Sequence, residues 1–69
     1  MKSSKEIGAE IKRLRETKEL SREDLADKLG ASPSAIAMYE LGERIPRDEM
    51  KVKIADFFGV SLESLFFAS

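Results

Sequence analysis

Residues 22–41 read REDLADKLGASPSAIAMYEL, and the two residues at its centre decide the architecture. Leu25 and Leu29 stand four apart before that centre, Ile36 and Tyr39 three apart after it, so each half carries an apolar stripe at helical spacing. Only Gly30 and Ala31 separate Leu29 from Ser32. A helix that ends at a glycine and restarts two residues later must turn sharply, because glycine alone adopts the left-handed C-cap conformation freely. Ala26 puts a small side chain where the two helices would approach most closely.

The same punctuation runs outward through the chain. Three stretches repeat one pattern: Leu20-Ser21-Arg22-Glu23-Asp24-Leu25, Ala31-Ser32-Pro33-Ser34-Ala35-Ile36 and Val60-Ser61-Leu62-Glu63-Ser64-Leu65. Each is a serine N-cap flanked by two apolar residues that can pack together as a staple. Ser3 with Glu6 and Ser21 with Asp24 have capping-box spacing, and Pro33 falls at a first helical position, where a missing N–H is harmless. Gly30, Gly42 and Gly59 mark the stops. These signals predict helices near 3–18, 21–29, 32–41, 47–58 and 61–66. Sustained period-two alternation is absent, so no strand is expected. The fold class is all-α, a compact bundle of about five short helices forming one domain over residues 1–69.

Ile7, Ile11 and Leu14 in the first helix, and Met50, Ile54, Phe57 and Phe58 in the fourth, supply the remaining apolar faces. Helices this short are marginal alone, so their stripes must share one core. Gly8 interrupts the first helix at a cost of roughly 1 kcal/mol relative to alanine. Close approach of another helix would explain it.

Composition narrows the chemistry. The 69 residues include neither cysteine nor histidine, which excludes disulfides, thiolate and zinc-finger metal sites and histidine-based catalysis. No metal and no cofactor is expected, and no catalytic residue. No apolar run approaches the roughly 20 residues of a membrane span, and the N-terminus lacks secretory character, so a cytoplasmic protein is expected. The net charge of −1 is unevenly spread: residues 1–18 hold six Lys/Arg against three Glu, and residues 19–42 hold two against five. A nucleic-acid binder on this chain would use basic groups at selected points, not a basic field.

Two helices joined by so short a glycine turn form a helix-turn-helix unit. With IGAEIKRLRE before it, AIAMYELGERIP within and after it, and KIADFFGVSLESLF closing the chain, the sequence resembles the XRE family, the DNA-binding domain of phage Cro and C1 type repressors. The resemblance covers about residues 7–67. It implies a third helix in the major groove, with Pro33, Ser34, Ala37 and Met38 toward base edges. It also implies phosphate contacts from Ser21, Arg22, Ser32, Arg44 and Arg47, and a salt bridge between Arg15 and Glu40 that fixes the third helix to the first. A local alternative for Arg15 is an i,i+4 pair with Glu19, worth roughly 0.3–0.5 kcal/mol.

The third helix departs from the family's common pattern. Ala35, Ala37 and Met38 occupy positions where polar residues are frequent, Leu41 replaces a usual asparagine, and Glu43 stands where a basic residue is common. Alanine and methionine can pack against thymine methyl groups, so an A·T-rich palindromic operator is expected, read by methyl contacts and DNA shape. At the C-terminus, Leu62, Phe66 and Phe67 exceed what one helix face can bury and are expected to contribute to a homodimer interface. The expected function is a sequence-specific regulator of double-stranded DNA, a dimeric repressor acting by operator occupancy. The alternative is a protein-interaction module on the same scaffold, such as an antitoxin or anti-regulator with a regulatory protein partner.

Overall fold

A computed structural model describes residues 2–67 of the chain. The element order is α1 (Ser4–Thr17), α2 (Arg22–Leu29), α3 (Pro33–Glu40), α4 (Asp48–Phe58) and a closing π-helical turn (Glu63–Phe67), with no strand among the described residues. The serine caps account for the starts. Ser3 and Ser21 each accept the backbone N–H three residues on, and Glu6 and Asp24 accept the N–H of the capping serine in return, completing two capping boxes. Ser32 caps α3 through Ala35, with Pro33 in the first turn. Arg47 caps α4 without a side-chain hydrogen bond, and Asp48 and Glu49 in the first turn complement the helix dipole instead.

Gly30 and Gly59 end α2 and α4 in the left-handed conformation, each at φ 67°. The end of α1 was not legible as a glycine stop. Its chain reverses at Glu19, a non-glycine residue at φ 57°, beyond a cap at Lys18. That reversal is secured from outside the helix, since Leu20 N–H donates to Arg15 O and Arg15 Nη1 donates to Leu20 O at 2.8 Å. The local Arg15–Glu19 pair is not formed; the guanidinium faces Glu40 instead.

α1 and α2 both pack on α3, and α2 also meets α4. The core joins Ile7 and Ile11 of α1, Leu25, Ala26 and Leu29 of α2, Ile36 and Tyr39 of α3, and Ile54 and Phe58 of α4. Leu65 and Phe66 close it from the π-helical turn. Gly8 lies where α1 crosses the end of α3: a Cβ there would stand 2.6 Å from the Glu40 carbonyl oxygen and closer still to that of Tyr39. The α1–α3 crossing is therefore a backbone-to-backbone contact that only glycine permits.

One expectation fails at the C-terminus. Phe66 is 0% exposed and belongs to the core, so it cannot serve as an exposed dimer contact. The reason lies in the helix type. With i→i+5 bonding, successive residues are spaced more tightly around the axis than in an α-helix, which brings Leu65 and Phe66 inward together. Leu62 and Phe67, the other two expected interface residues, remain on the surface. Lys2 fastens this turn to the N-terminus: its backbone N–H donates to Phe66 O, and its Nζ donates to Ser64 O at 2.7 Å.

Candidate nucleic-acid interface

α3 owes its position to a carboxylate at its last residue. The Glu40 side chain is 1% exposed, yet it accepts three N–H groups from two arginines. Arg15 Nε donates to Oε2 at 2.6 Å and Arg15 Nη2 to Oε1 at 3.1 Å, a bidentate pair linking α1 to α3. Arg22 Nε donates to the same Oε1 at 3.0 Å, linking the first residue of α2 to the last of α3. The hydrogen bonds that Arg15 donates to Glu40 hold its guanidinium more firmly in its charged form than usual. With three donors and two positive charges, the buried carboxylate is matched rather than stranded.

The opposite end of α3 is open. Pro33 and Ser34 are exposed in its first turn, Met38 is exposed one turn on, and Ala37 beside it is half-buried. Positions 33, 34, 37 and 38 share one face by helical spacing, and that face covers none of the core. Ala35 is different: it is half-buried and packs against the core, which makes it a structural residue and no reader of anything outside.

The flanking groups fall into three sets. Ser21 and Ser32 are exposed caps whose Oγ atoms accept backbone N–H groups, and a hydroxyl so engaged still has its own hydrogen to donate. Arg22 is tied to Glu40 by its Nε alone and remains 40% exposed. Arg44 and Arg47 are exposed in the segment between α3 and α4 and line an open crevice together with Tyr39, Met50 and Lys53. Acidic Asp48 and Glu49 line it too, so the charge there is mixed. Glu43, the residue of adverse sign, is exposed, and its backbone N–H is used on Met38 O.

Sequence reasoning missed the Arg22–Glu40 bond. Its partners lie 18 residues apart, and no periodicity links the start of one helix to the end of the next. Leu41 and Ile45, which follow α3 in the sequence, are both exposed and outside the core; sequence reasoning singles out Leu41 but not Ile45. Among the described residues no helix is long and apolar enough to cross a membrane.

Two short helices crossing through a glycine turn, with the second exposing its N-terminal face, define a helix-turn-helix domain. The comparisons agree: a helix-turn-helix family model matches residues 11–65, and the chain belongs to this family, of XRE type. It is 43% identical over 56 residues to an uncharacterised HTH-type transcriptional regulator of Methanocaldococcus jannaschii, covering 81% of this chain and 85% of the relative. It is 40% identical over 57 residues to endothelial differentiation-related factor 1 of Rattus norvegicus, covering 83% of this chain but only 38% of that protein. Among solved structures, the DNA-binding domain of BldD from S. venezulae is similar with a TM-score of 0.77 and 26% identity, over 91% of this chain and 94% of that one. HppE in complex with substrate is similar with a TM-score of 0.81 and 28% identity, over 93% of this chain and 36% of that one. The likeness to HppE and to the rat factor thus extends to little more than a third of either chain.

Proposed function

We propose that this chain binds double-stranded DNA sequence-specifically, with α3 in the major groove, and regulates transcription as a dimeric repressor that occupies its operator. The observation that carries this reading is the open N-terminal face of α3, held at its other end by Glu40 and flanked by donors on α2 and on the segment before α4. Membership of the helix-turn-helix family and similarity to a domain described as DNA-binding support it. Pro33, Ser34, Ala37 and Met38 face the bases. Ser34 alone among them can hydrogen-bond a base edge by its side chain; the others read by shape and by packing on thymine methyl groups, which favours A·T-rich sites. Ser21, Ser32, Arg22, Arg44 and Arg47 contact phosphate and set register. Leu62 and Phe67, still exposed, belong to the two-fold contact, which places two half-sites about one DNA turn apart.

Selection of the purified protein on a pool of random duplexes at near-physiological salt tests this. An enriched A·T-rich palindrome is expected. A pool that stays random refutes sequence-specific binding. A second reading, a protein-interaction module, draws on the exposed Met38, Leu41 and Ile45, three large apolar side chains within and just after α3. Retention of a partner protein that persists at high salt, with no enrichment of DNA, would favour it.

A further inference from the structure

Arg22 stands at the junction of the two surfaces that the proposed function separates: the phosphate contacts and the reading helix. It is the first residue of α2, where unpaired backbone N–H groups and the helix dipole favour an anion. Its guanidinium is nonetheless already bonded, through Nε, to the buried carboxylate of Glu40. At first sight this removes it from the phosphate contacts. The charges and the geometry say otherwise.

Glu40 offers one negative charge, and Arg15 already meets it with two hydrogen bonds, at 2.6 and 3.1 Å. Arg22 adds a second positive charge to the same carboxylate, so the three side chains together carry a net charge of +1. That surplus is not buried, because the Arg22 side chain is 40% exposed whereas Arg15 is 11% exposed. A guanidinium is a planar fork with five N–H donors. Only the Nε of Arg22 donates to a protein group among the described residues; both Nη groups have no such partner. One cation therefore has an edge fixed by the reading helix and an edge left for a bidentate anion.

We propose that Arg22 is a positioning residue: its Nε stays on Glu40 while its Nη groups take a DNA phosphate, so that one guanidinium fixes the angle of α3 relative to the DNA backbone. This rests on the DNA-binding reading above. The phosphate contact sets α2 on the duplex, and the Nε–Glu40 bond transmits that placement directly to the last residue of α3. A neutral glutamine or a lysine at this position could contact phosphate, but neither presents two separated donor edges.

The test uses the intact chain, its wild-type form and Arg22→Lys, with duplex DNA carrying the selected site and duplex of random sequence. Lysine keeps the charge, so the slope of log affinity against log salt should stay within about half a unit of wild type. Loss of the two-edged fork should weaken binding to the selected site about tenfold and binding to random duplex far less. The melting temperature should move by only a few degrees, since Arg15 still holds the buried Glu40 carboxylate with two hydrogen bonds. In the NMR spectrum, the Arg22 Nε–Hε signal should keep its hydrogen-bonded position when the selected duplex is added. Wild-type affinity for the selected site in Arg22→Lys, or loss of the hydrogen-bonded Hε signal in the complex, overturns the bridge and leaves DNA binding standing. A wild-type protein that binds no duplex overturns the DNA-binding reading itself, and the bridge with it.

Discussion

Replacing Gly8 with alanine sets a local preference against a tertiary contact, and the structure gives the sign. In the middle of a 14-residue helix, alanine is favoured over glycine by about 1 kcal/mol, so helix propensity alone has Gly8→Ala stabilise the protein. The new Cβ, however, would lie 2.6 Å from the carbonyl oxygen of Glu40 and 2.8 Å from its carbonyl carbon, with the Tyr39 oxygen nearer still. Ordinary contact begins at 3.4 Å, so clearing the Glu40 oxygen alone takes about 0.8 Å and the Tyr39 oxygen demands more, and the obstructing atoms are main chain that cannot rotate aside. Overpacking of a tight contact costs about 1–3 kcal/mol. A clash with two carbonyl groups belongs at the upper end, leaving a net loss of about 2 kcal/mol after the propensity gain. For a small domain whose whole stability is about 3–5 kcal/mol, the melting temperature should fall by roughly 8–16 °C. Thermal unfolding followed by circular dichroism measures it. Gly30→Ala is the control, with nothing within 4 Å of the added Cβ but a backbone at φ 67°; it should cost only about 1 kcal/mol of left-handed strain. A Gly8→Ala protein as stable as wild type, or more so, would mean that α1 and α3 do not cross in this way.

Three further outcomes follow from particular contacts. Phe66→Ala should lose about 3–5 kcal/mol, enough to leave the domain largely unfolded, whereas Phe67→Ala, at a side chain 44% exposed, should fold normally and weaken self-association instead; urea titration and sedimentation separate the two effects. The carboxyls of Glu6 and Asp24 are held below the ordinary carboxylate range, first by hydrogen bonds from the backbone N–H of Ser3 and Ser21. Because the unfolded chain then binds protons more readily, their contribution is present above the unfolded pKa, near 4, and is lost as pH falls through the lower folded values. Glu6→Gln with Asp24→Asn should therefore flatten the acid limb of a stability–pH curve, and an unchanged limb would place acid sensitivity elsewhere. Met38→Ala should leave the fold intact and change the preferred base at one or two operator positions; an unaltered selected sequence would remove Met38 from the readers.

Residues close in sequence made most of the architecture legible. The serines at 3, 21 and 32 cap helices because a side-chain oxygen and an N–H three residues on meet within a single turn, whatever the rest of the molecule does. Gly30 and Gly59 stop helices for the equally local reason that a positive φ burdens every residue with a Cβ. The stripes Ile7–Ile11 and Leu25–Leu29 become core because their spacing puts them on one face, and these features already implied an all-helical fold with a short turn between α2 and α3. The reading face of α3 follows from the family resemblance, not from periodicity: the resemblance implies Pro33, Ser34, Ala37 and Met38 toward base edges, and the apolar stripe alone does not single out those four.

Tertiary structure decided what depends on groups far apart along the chain. The family resemblance already implied the Arg15–Glu40 pair, but no local pattern shows that α1 and α2 deliver two arginines, 25 and 18 residues away, to one carboxylate at the end of α3. Glu19 adopts a left-handed turn against its own preference because the link between Arg15 and Leu20 closes around it. Phe66 turns inward where helical spacing had put it outside, because the last turn winds as a π-helix whose wider ring lets two adjacent side chains reach the core. In each case the free energy resides in a contact between segments, which exists only once the chain has brought them together. Caps and periodicity were thus fixed by neighbours along the chain, and the orientation of the reading helix by neighbours in space.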